Sequence, residues 1–383
     1  MKIAIVHARY QQLGGEDLVV EAEAMMLKSY GHQVVTYIRS NDEIATMRKL
    51  DVARNTLWSG SASAEFSRLL GLEKPDIVHV HNTFPLLSPS VYWAASRACV
   101  PVVQTLHNFR LICPQAMLLR EEKICEDCVG KLPWRGVMRG CYRGSRTQTG
   151  VLAGMLAFHR TIGTYDRHIQ RFIALNDFCR SKFVEAGIPL EKISIKPNFV
   201  DIARPAPARR DGFLFVGRLS TEKGISTLLD ASRIAPDIDI QLAGVGPLHE
   251  QVCATPSVTT LGALTSEEVG LRMANACALV LPSIWYENFP RTLVEAFAHG
   301  LPVIASRIGA IAEIVEDGKN GLLFEPGNAS ALAERMRWAA AHPEEMRRMG
   351  ECARRTYEER YTQGINHRQL TGIYEDVLKR FHQ

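Results

Sequence analysis

The chain has 383 residues, which at about 150 residues per domain corresponds to two or three domains. Hydrophobic residues make up 46% and charged residues 22%, a globular balance that excludes a disordered, collagen-like or coiled-coil chain. The formal net charge of +4 is too small to argue for nucleic-acid binding, although a local basic patch can still act. No apolar run reaches the about 18 residues of a membrane span. The opening MKIAIVHARY is too short in apolar residues for a signal peptide. The expectation is a cytoplasmic protein that at most sits peripherally on the inner face of a membrane. Nine Cys, an odd number without a secretory signal, argue against a disulfide framework.

In chain order, Lys2–His7 reads as a strand, followed by a turn at Gly14 and Gly15 and a helix over Asp17–Tyr30 that Gly31 ends. His32–Ile38, Asp76–His81 and Pro101–His107 read as further strands, with a helix near Val91–Cys99. Arg171–Asn176 is a strand preceding a helix around Cys179–Ala186. Strand, helix, strand at this spacing implies right-handed crossovers and parallel sheets covered on both faces. The pattern breaks at Lys196-Pro197-Asn198 and Ala203–Arg210, which read as a linker. It restarts with strands at Phe213–Val216, Ile238–Ala243, Ala278–Pro282, Pro302–Ala305 and Gly321–Phe324, and a helix over Gly224–Ile234. The tail from Ala329 to Phe381 is mostly helical. This predicts two doubly wound α/β domains, residues 1–197 and 198–355, around a central cleft.

Two stretches carry the chemistry. In Tyr286–Phe297 a loop runs into a helix for which Pro290 suits the first position, with Leu293, Val294, Phe297 and Ala298 as its buried face. A helix N-terminus can hold a phosphate. Glu287 and Glu295 would be poor phosphate ligands beside it, and make sense as acceptors for hydroxyls on a sugar and a ribose. Surface acids around an ordinary capped helix account for them equally. In Phe215–Gly224 a strand ends at Gly217, and Arg218 and Lys223 hang in the following loop, able to meet a diphosphate or simply to be solvated. Gly246, in Gly244-Val245-Gly246-Pro247, allows close backbone approach. Neither that turn nor Gly14-Gly15 completes a G-x-G-x-x-G dinucleotide pattern.

Together, "GRLSTEKG", "AGVGP" and "YENFPRTLVEAFAHGLPVIAS" resemble the retaining, nucleotide-sugar-dependent glycosyltransferases of family four, whose E-x7-E signature falls on Glu287 and Glu295. The resemblance implies the GT-B fold, with a C-terminal helix over residues 356–383 crossing back to the first domain. It implies that Glu287 and the Asn288, Phe289, Pro290, Arg291 and Thr292 segment hold the donor sugar and that Glu295 binds the ribose. Arg218 and Lys223 would neutralise the diphosphate, so no metal cofactor is needed for catalysis. Retention implies front-face attack or a short-lived covalent intermediate. The family often places a histidine near the donor sugar at the strand end matching His107, and a glycine-rich first loop at Gly14 and Gly15, although Glu16-Asp17 follows that loop here. The implied reaction moves a sugar to a carbohydrate or polyprenyl-diphosphate-linked acceptor, as in bacterial polysaccharide or lipopolysaccharide assembly. The alternatives are a nucleotide-sugar epimerase on the same fold and a non-catalytic sugar-nucleotide-binding subunit.

His79 and His81 share one strand face, but the three histidines with His107 make a weak metal set because no Asp or Glu accompanies them. An insertion over residues 113–146 holds Cys113, Cys125, Cys128 and Cys141. The Cys125-x2-Cys128 pair is half of a zinc site that Cys113 and Cys141 can complete; free thiols are the alternative. Arg135, Arg139, Arg143 and Arg146, interleaved with Trp134 and Tyr142, suit an anionic membrane surface or form a solvated loop.

Overall fold

The computed structural model describes residues 1–11, 14–203 and 210–383. Residues 204–209, most of the linker expected over 203–210, lie outside the described residues. The chain divides into two units. The first comprises residues 1–117, 126–197 and 366–383, and the second comprises residues 118–125 and 198–365.

The first unit is built on strands β1 (Lys2–Arg9), β2 (Gln33–Ser40), β3 (Ile77–Asn82) and β4 (Val102–Thr105). A two-stranded hairpin, β5 (Leu119–Arg120) and β6 (Lys123–Ile124), belongs to the other unit, and the first sheet resumes with β7 (Arg171–Ala174) and β8 (Ile193–Ile195). The sheet is parallel throughout in the order β2-β1-β3-β4-β7-β8. Every residue of β3 and β4 is buried, as expected of central parallel strands covered on both faces. Helix Gly15–Ser29 ends as its sequence requires: Gly31 takes a φ of +83°, the left-handed conformation favoured by glycine after a helix.

The second unit holds β9 (Phe213–Val216), β10 (Ile240–Ala243), β11 (Thr259–Gly262), β12 (Ala278–Leu281), β13 (Val303–Ser306) and β14 (Gly321–Phe324). They form a parallel sheet in the order β11-β10-β9-β12-β13-β14. The period of two sorts its side chains into two cores. Phe213, Phe215, Ala278, Val280, Ile304, Leu322 and Phe324 point to one face and pack with the helices Ile225–Ile234 and Ala329–Ala341. Leu214, Leu279, Leu281, Val303, Ala305 and Leu323 point to the other and pack with the helices Arg291–Ala298 and Pro343–Arg360. Burying one such side chain contributes about 1.5–3 kcal/mol.

The described elements extend the sequence reading at β8 and β11. The return to the first unit comes at Asn366, later than the expected residue 356, because Ala353, Tyr357 and Tyr361 are buried in the second unit's core. The last helix, Gln363–Phe381, then buries Leu370, Tyr374 and Val377, and from Asn366 it counts with the first unit.

Gly224 joins the loop after β9 to the helix Ile225–Ile234 at a φ of +72°, and a Cβ there would stand 1.8 Å from the carbonyl oxygen of Pro282. Gly224→Ala therefore combines a left-handed backbone with a clash against main chain. It is expected to lower the unfolding free energy by about 2 kcal/mol or more in urea denaturation; a change below about 0.5 kcal/mol would contradict this close approach.

Candidate active site

In the second unit the strand order reverses between β9 and β12, the switch point at which open α/β sheets leave a crevice beyond the strand ends. Main-chain bonds lace the loops there. Gly217 N–H donates to Ala243 O at 3.0 Å, Leu219 N–H to Val245 O at 3.0 Å, and Ile284 N–H to Glu222 O at 3.0 Å. Gly246 has no Cβ because one would lie 2.4 Å from Leu219 O. Arg218 stands exposed between the buried Leu219 and the fixed Gly217.

Lys223 Nζ lies 2.9 Å from Glu287 Oε2 and 5.6 Å from the Trp285 ring centroid. The Ser283 hydroxyl donates to the other oxygen of Glu287. Glu287 is 6% exposed, so this is a buried carboxylate with both oxygens engaged by the chain's own groups. The Lys223 side chain is 25% exposed and can be drawn toward an arriving anion. Withdrawing it would free Glu287 Oε2 to accept from a hydroxyl.

Helix Arg291–Ala298 buries Leu293, Val294, Ala296, Phe297 and Ala298, as the spacing predicts. Pro290 stands one place earlier than expected, as the cap, and its carbonyl accepts from Leu293 N–H at 3.0 Å. Arg291 Nε donates to Glu295 Oε1 at 2.8 Å, and burial pushes the Glu295 carboxyl above the usual range. Asn288 is buried, Phe289 packs edge-on to Tyr361 at 5.9 Å, and Thr292 is half-buried. Gly217, Arg218, Lys223, Gly246, Glu287 to Thr292 and Glu295 thus all stand beyond the ends of β9, β10 and β12.

In the first unit the order reverses between β1 and β3. Gly14 caps the helix Gly15–Ser29, but its N–H donates to Asp17 Oδ2 at 2.8 Å. Asp17 Oδ1 also accepts from Tyr10 N–H at 3.3 Å and lies 2.8 Å from His7 Nε2. The chain's own carboxylate therefore takes the place an anion would take at Gly14. Glu16 lies alongside, 10% exposed at its side chain, accepting from Tyr10 Oη at 3.0 Å. Burial pushes its pKa up to about 8.

Behind this turn lies a group that the sequence reading missed. Glu23, 1% exposed, takes Lys196 Nζ on Oε2 at 2.6 Å. Its Oε1 lies 2.9 Å from His79 Nδ1 and 3.3 Å from His81 Nε2. Tyr374 Oη and Thr105 Oγ1 each stand 2.7 Å from a nitrogen of His79. His107 Nε2 meets His81 Nδ1 at 2.8 Å. Asn366 accepts from Lys196 at 3.2 Å and donates to Pro197 O at 2.6 Å. An acid does accompany the histidines, contrary to the sequence expectation. The trio Glu23, His79 and His81 is within metal-ligand range, yet the Lys196 ammonium already supplies the cation on Glu23. One signal was legible: Asp17, Val20, Glu23 and Leu27 fall on the buried face of one helix, so two acids share an apolar stripe.

Among the described residues, Cys113, Cys128 and Cys141 of the first unit do not join a group of three ligands in metal range. Cys125 falls in the hairpin segment counted with the second unit. Asp127 pairs with Arg139 and lies 3.6 Å from Arg135, which neutralises part of the basic run, while Arg143 stacks over Tyr142 at 5.4 Å. Leu132, Trp134 and Met138 are exposed beside them.

The buried ionisable groups set a pH dependence. Burial pushes His7 and His107 down and His81 to about 3. The unfolded chain takes up protons near pH 6.5 that the folded chain refuses, so stability is lost as pH falls below about 6.5, by about 1.4 kcal/mol per pH unit for each such ring. Glu16 has the opposite sign: its contribution is full below about pH 4.5 and is lost as pH rises through about 8. Glu16→Gln is expected to steepen the gain of stability between pH 5.5 and 7.5 by about 1 kcal/mol per pH unit, measured by urea unfolding. An unchanged slope would show that Glu16 is ionised in the folded chain.

The family model for glycosyltransferase family 4 matches residues 13–204, half of the chain, and that for glycosyl transferases group 1 matches residues 202–356. D-rhamnosyltransferase WbpZ of Pseudomonas aeruginosa is 32% identical over 158 residues, 39% of this chain and 41% of that protein. The MMP alpha-(1->4)-mannosyltransferase of Mycolicibacterium hassiacum is 32% identical over 169 residues, 41% of each chain. The chain spans about half or less of the length of the curated relatives it matches. Anabaena Alr3699/HepE in complex with UDP shares the fold at a TM-score of 0.70 and 19% identity, covering 98% of this chain and 100% of that one. With two successive family models meeting near the boundary between its units, the chain belongs to the family-four, group 1 glycosyltransferases, with two Rossmann-like domains of the GT-B kind.

Proposed function

We propose that this chain is a retaining glycosyltransferase that moves a sugar from a nucleoside diphosphate donor to a carbohydrate or lipid-linked acceptor in polysaccharide or lipopolysaccharide assembly. The observation that carries the reading is the Lys223–Glu287 pair at the β9/β12 switch point, with Arg218 exposed on the same laced platform. The relatives support the substrate class: one is a D-rhamnosyltransferase, and Alr3699/HepE has been solved with UDP-glucose.

In this reading the donor diphosphate enters against Arg218 and draws Lys223 from Glu287. Arg presents a planar fork of donors and Lys a mobile point charge, so the two divide the work of holding and following the phosphates. As the bond to the anomeric carbon breaks, negative charge grows on the diphosphate, and the two cations already drawn to it stabilise that charge. Glu287, released by Lys223, accepts from a sugar hydroxyl, and Glu295 from the ribose. Arg291 holds the Glu295 carboxylate in place. The exposed Leu132, Trp134 and Met138 beside Arg143 support docking at an anionic membrane where a polyprenyl-diphosphate-linked acceptor resides.

A thermal-shift screen with UDP-, GDP-, ADP- and CDP-glucose tests the donor class, followed by donor hydrolysis and transfer. At least one donor should raise the melting temperature. Lys223→Ala should weaken the matching free nucleoside diphosphate by roughly 10- to 100-fold, the loss of one charge-assisted contact. Glu287→Gln should spare nucleoside diphosphate affinity within a few-fold but abolish most turnover. A wild-type protein that neither binds nor hydrolyses any of the four, or a Lys223→Ala variant with unchanged nucleotide affinity, would overturn the assignment.

A further inference from the structure

The first unit carries two cations that its own acids do not neutralise. Arg110 follows β4 and Phe84 follows β3, both at the carboxyl edge of the first sheet. The Arg110 guanidinium lies over the Phe84 ring at 4.5 Å and over the Tyr142 ring at 5.3 Å, in the corner of two rings set 89° apart. Both rings pack on Leu152, Met155 and Leu156 of the helix Arg146–Thr161, which fixes the corner by apolar burial. Aromatic faces attract a guanidinium without taking its N–H groups. Arg110 Nη1 donates to Pro114 O at 2.6 Å, and the Nε–Nη2 edge remains, the fork that matches two oxygens of a phosphate or carboxylate. On the same Tyr142 ring Arg143 places its guanidinium at 5.4 Å. Arg143 takes a φ of +53°, a left-handed conformation that is costly for arginine, beside Gly144 at +67°.

Charge balance separates this pair from the rest of the basic run. Asp127 meets both Arg135 and Arg139, whereas among the described residues no carboxylate lies within ion-pair range of Arg110 or Arg143. The acid that feels Arg110 is Glu16, which accepts from Tyr10 Oη at 3.0 Å. Burial pushes the Glu16 pKa up to about 8 against the pull of Arg110, so at neutral pH it neither balances that cation nor repels an anion beside it. We propose that Arg110 and Arg143, both seated on Tyr142, form an anion clamp on the first unit that takes an oxyanionic group of the acceptor. The chemistry is a phosphate or carboxylate held by one fixed fork and one second guanidinium; its sources are the diphosphate of a lipid-linked sugar or the carboxylate of an acidic sugar. Arg110 is the rigid prong, since two rings and a carbonyl set its plane. Arg143 is the exposed prong, held over the ring by a backbone turn that glycine or asparagine would adopt at lower cost. That the anion belongs to the acceptor rests on the transferase reading above; the clamp itself rests on these residues alone.

Calorimetric titration of the full chain at pH 7 with geranyl diphosphate and, separately, with digalacturonic acid reads the clamp, with geraniol and galactobiose as uncharged controls. At least one anion should bind, and its uncharged control should bind at least 10-fold more weakly. Binding of geranyl diphosphate assigns the lipid diphosphate as the source, and binding of digalacturonic acid assigns the acidic sugar. Arg110→Lys keeps the charge but loses the fork, and should weaken that anion by roughly 10-fold. Arg143→Asn removes the second guanidinium from a turn that asparagine tolerates better, so its melting temperature should not fall while its affinity for the anion drops by roughly 10-fold. A wild type that binds neither anion, or binds the uncharged control equally well, overturns the proposal. So does an Arg143→Asn variant with wild-type affinity, a result available even if Arg110→Lys does not fold. Loss of nucleoside diphosphate affinity in Arg143→Asn overturns it too, because the clamp would then serve the donor. Failure of all four donors to bind would remove the transferase reading and leave this titration as stated, so the two fail separately.

Discussion

A parallel strand cannot turn straight back on its neighbour; the chain must cross over and re-enter from the same end. Both sheets here are parallel throughout, so in each unit every carboxyl end delivers its loop to one edge. That constraint explains why the residues able to do chemistry are collected without being close in sequence. In the second unit Arg218 follows β9, Gly246 follows β10 and Glu287 follows β12. In the first, Asp17 follows β1, Asn82 closes β3 and His107 follows β4. The reversal of strand order then opens a gap between neighbouring loops at β9/β12 and β1/β3. Side-chain bonds close part of each gap, and what they leave open is what a ligand can use.

How far this was legible in the sequence depends on where the information resides. Strands such as β9 and β14 are short apolar runs bounded by turn residues, and their ends matched the reading to the residue. The edge strand β11 was not read, since an exposed Thr259-Thr260 pair carries no buried pattern. The loop residues of the second unit were legible because they lie in contiguous motifs whose spacing reflects one strand, one loop and one helix. The group around Glu23 was not, because its partner Lys196 lies 173 residues away and Asn366 a further 170. Local patterning can show that an acid falls on a buried face; it cannot show which cation crosses the fold to meet it.

The two units each contain a lysine–glutamate pair, and comparing them separates structure from function. Glu23 and Lys196 are both about 1% exposed, with Asn366 on the ammonium and two imidazoles on the carboxylate. Removing either partner leaves a buried charge that no water can reach, at a cost of about 3–5 kcal/mol, so this pair cannot open during a reaction. Glu287 is similarly buried, but the Lys223 side chain is 25% exposed, and beside Glu287 its ammonium has the Trp285 ring at 5.6 Å. Its ammonium can move toward solvent or toward an anion at little desolvation cost.

A permanent pair is suited to orientation and an exchangeable one to binding. The closed pair holds Glu23 ionised, with the His79 and His81 rings fixed beside its other oxygen. The open pair instead keeps Glu287 neutralised until a competing negative charge arrives, and an anion that draws Lys223 away unmasks the acceptor beside it. Coulomb attraction within a partly wet site is a few kcal/mol at contact distance, comparable to what a phosphate offers in return, so the exchange is close to balanced. In the proposed reading, placing the lysine at the rim and the glutamate beneath it would couple recognition of an anion to the exposure of a hydroxyl acceptor, a coupling that a lysine buried as deeply as Lys196 could not provide.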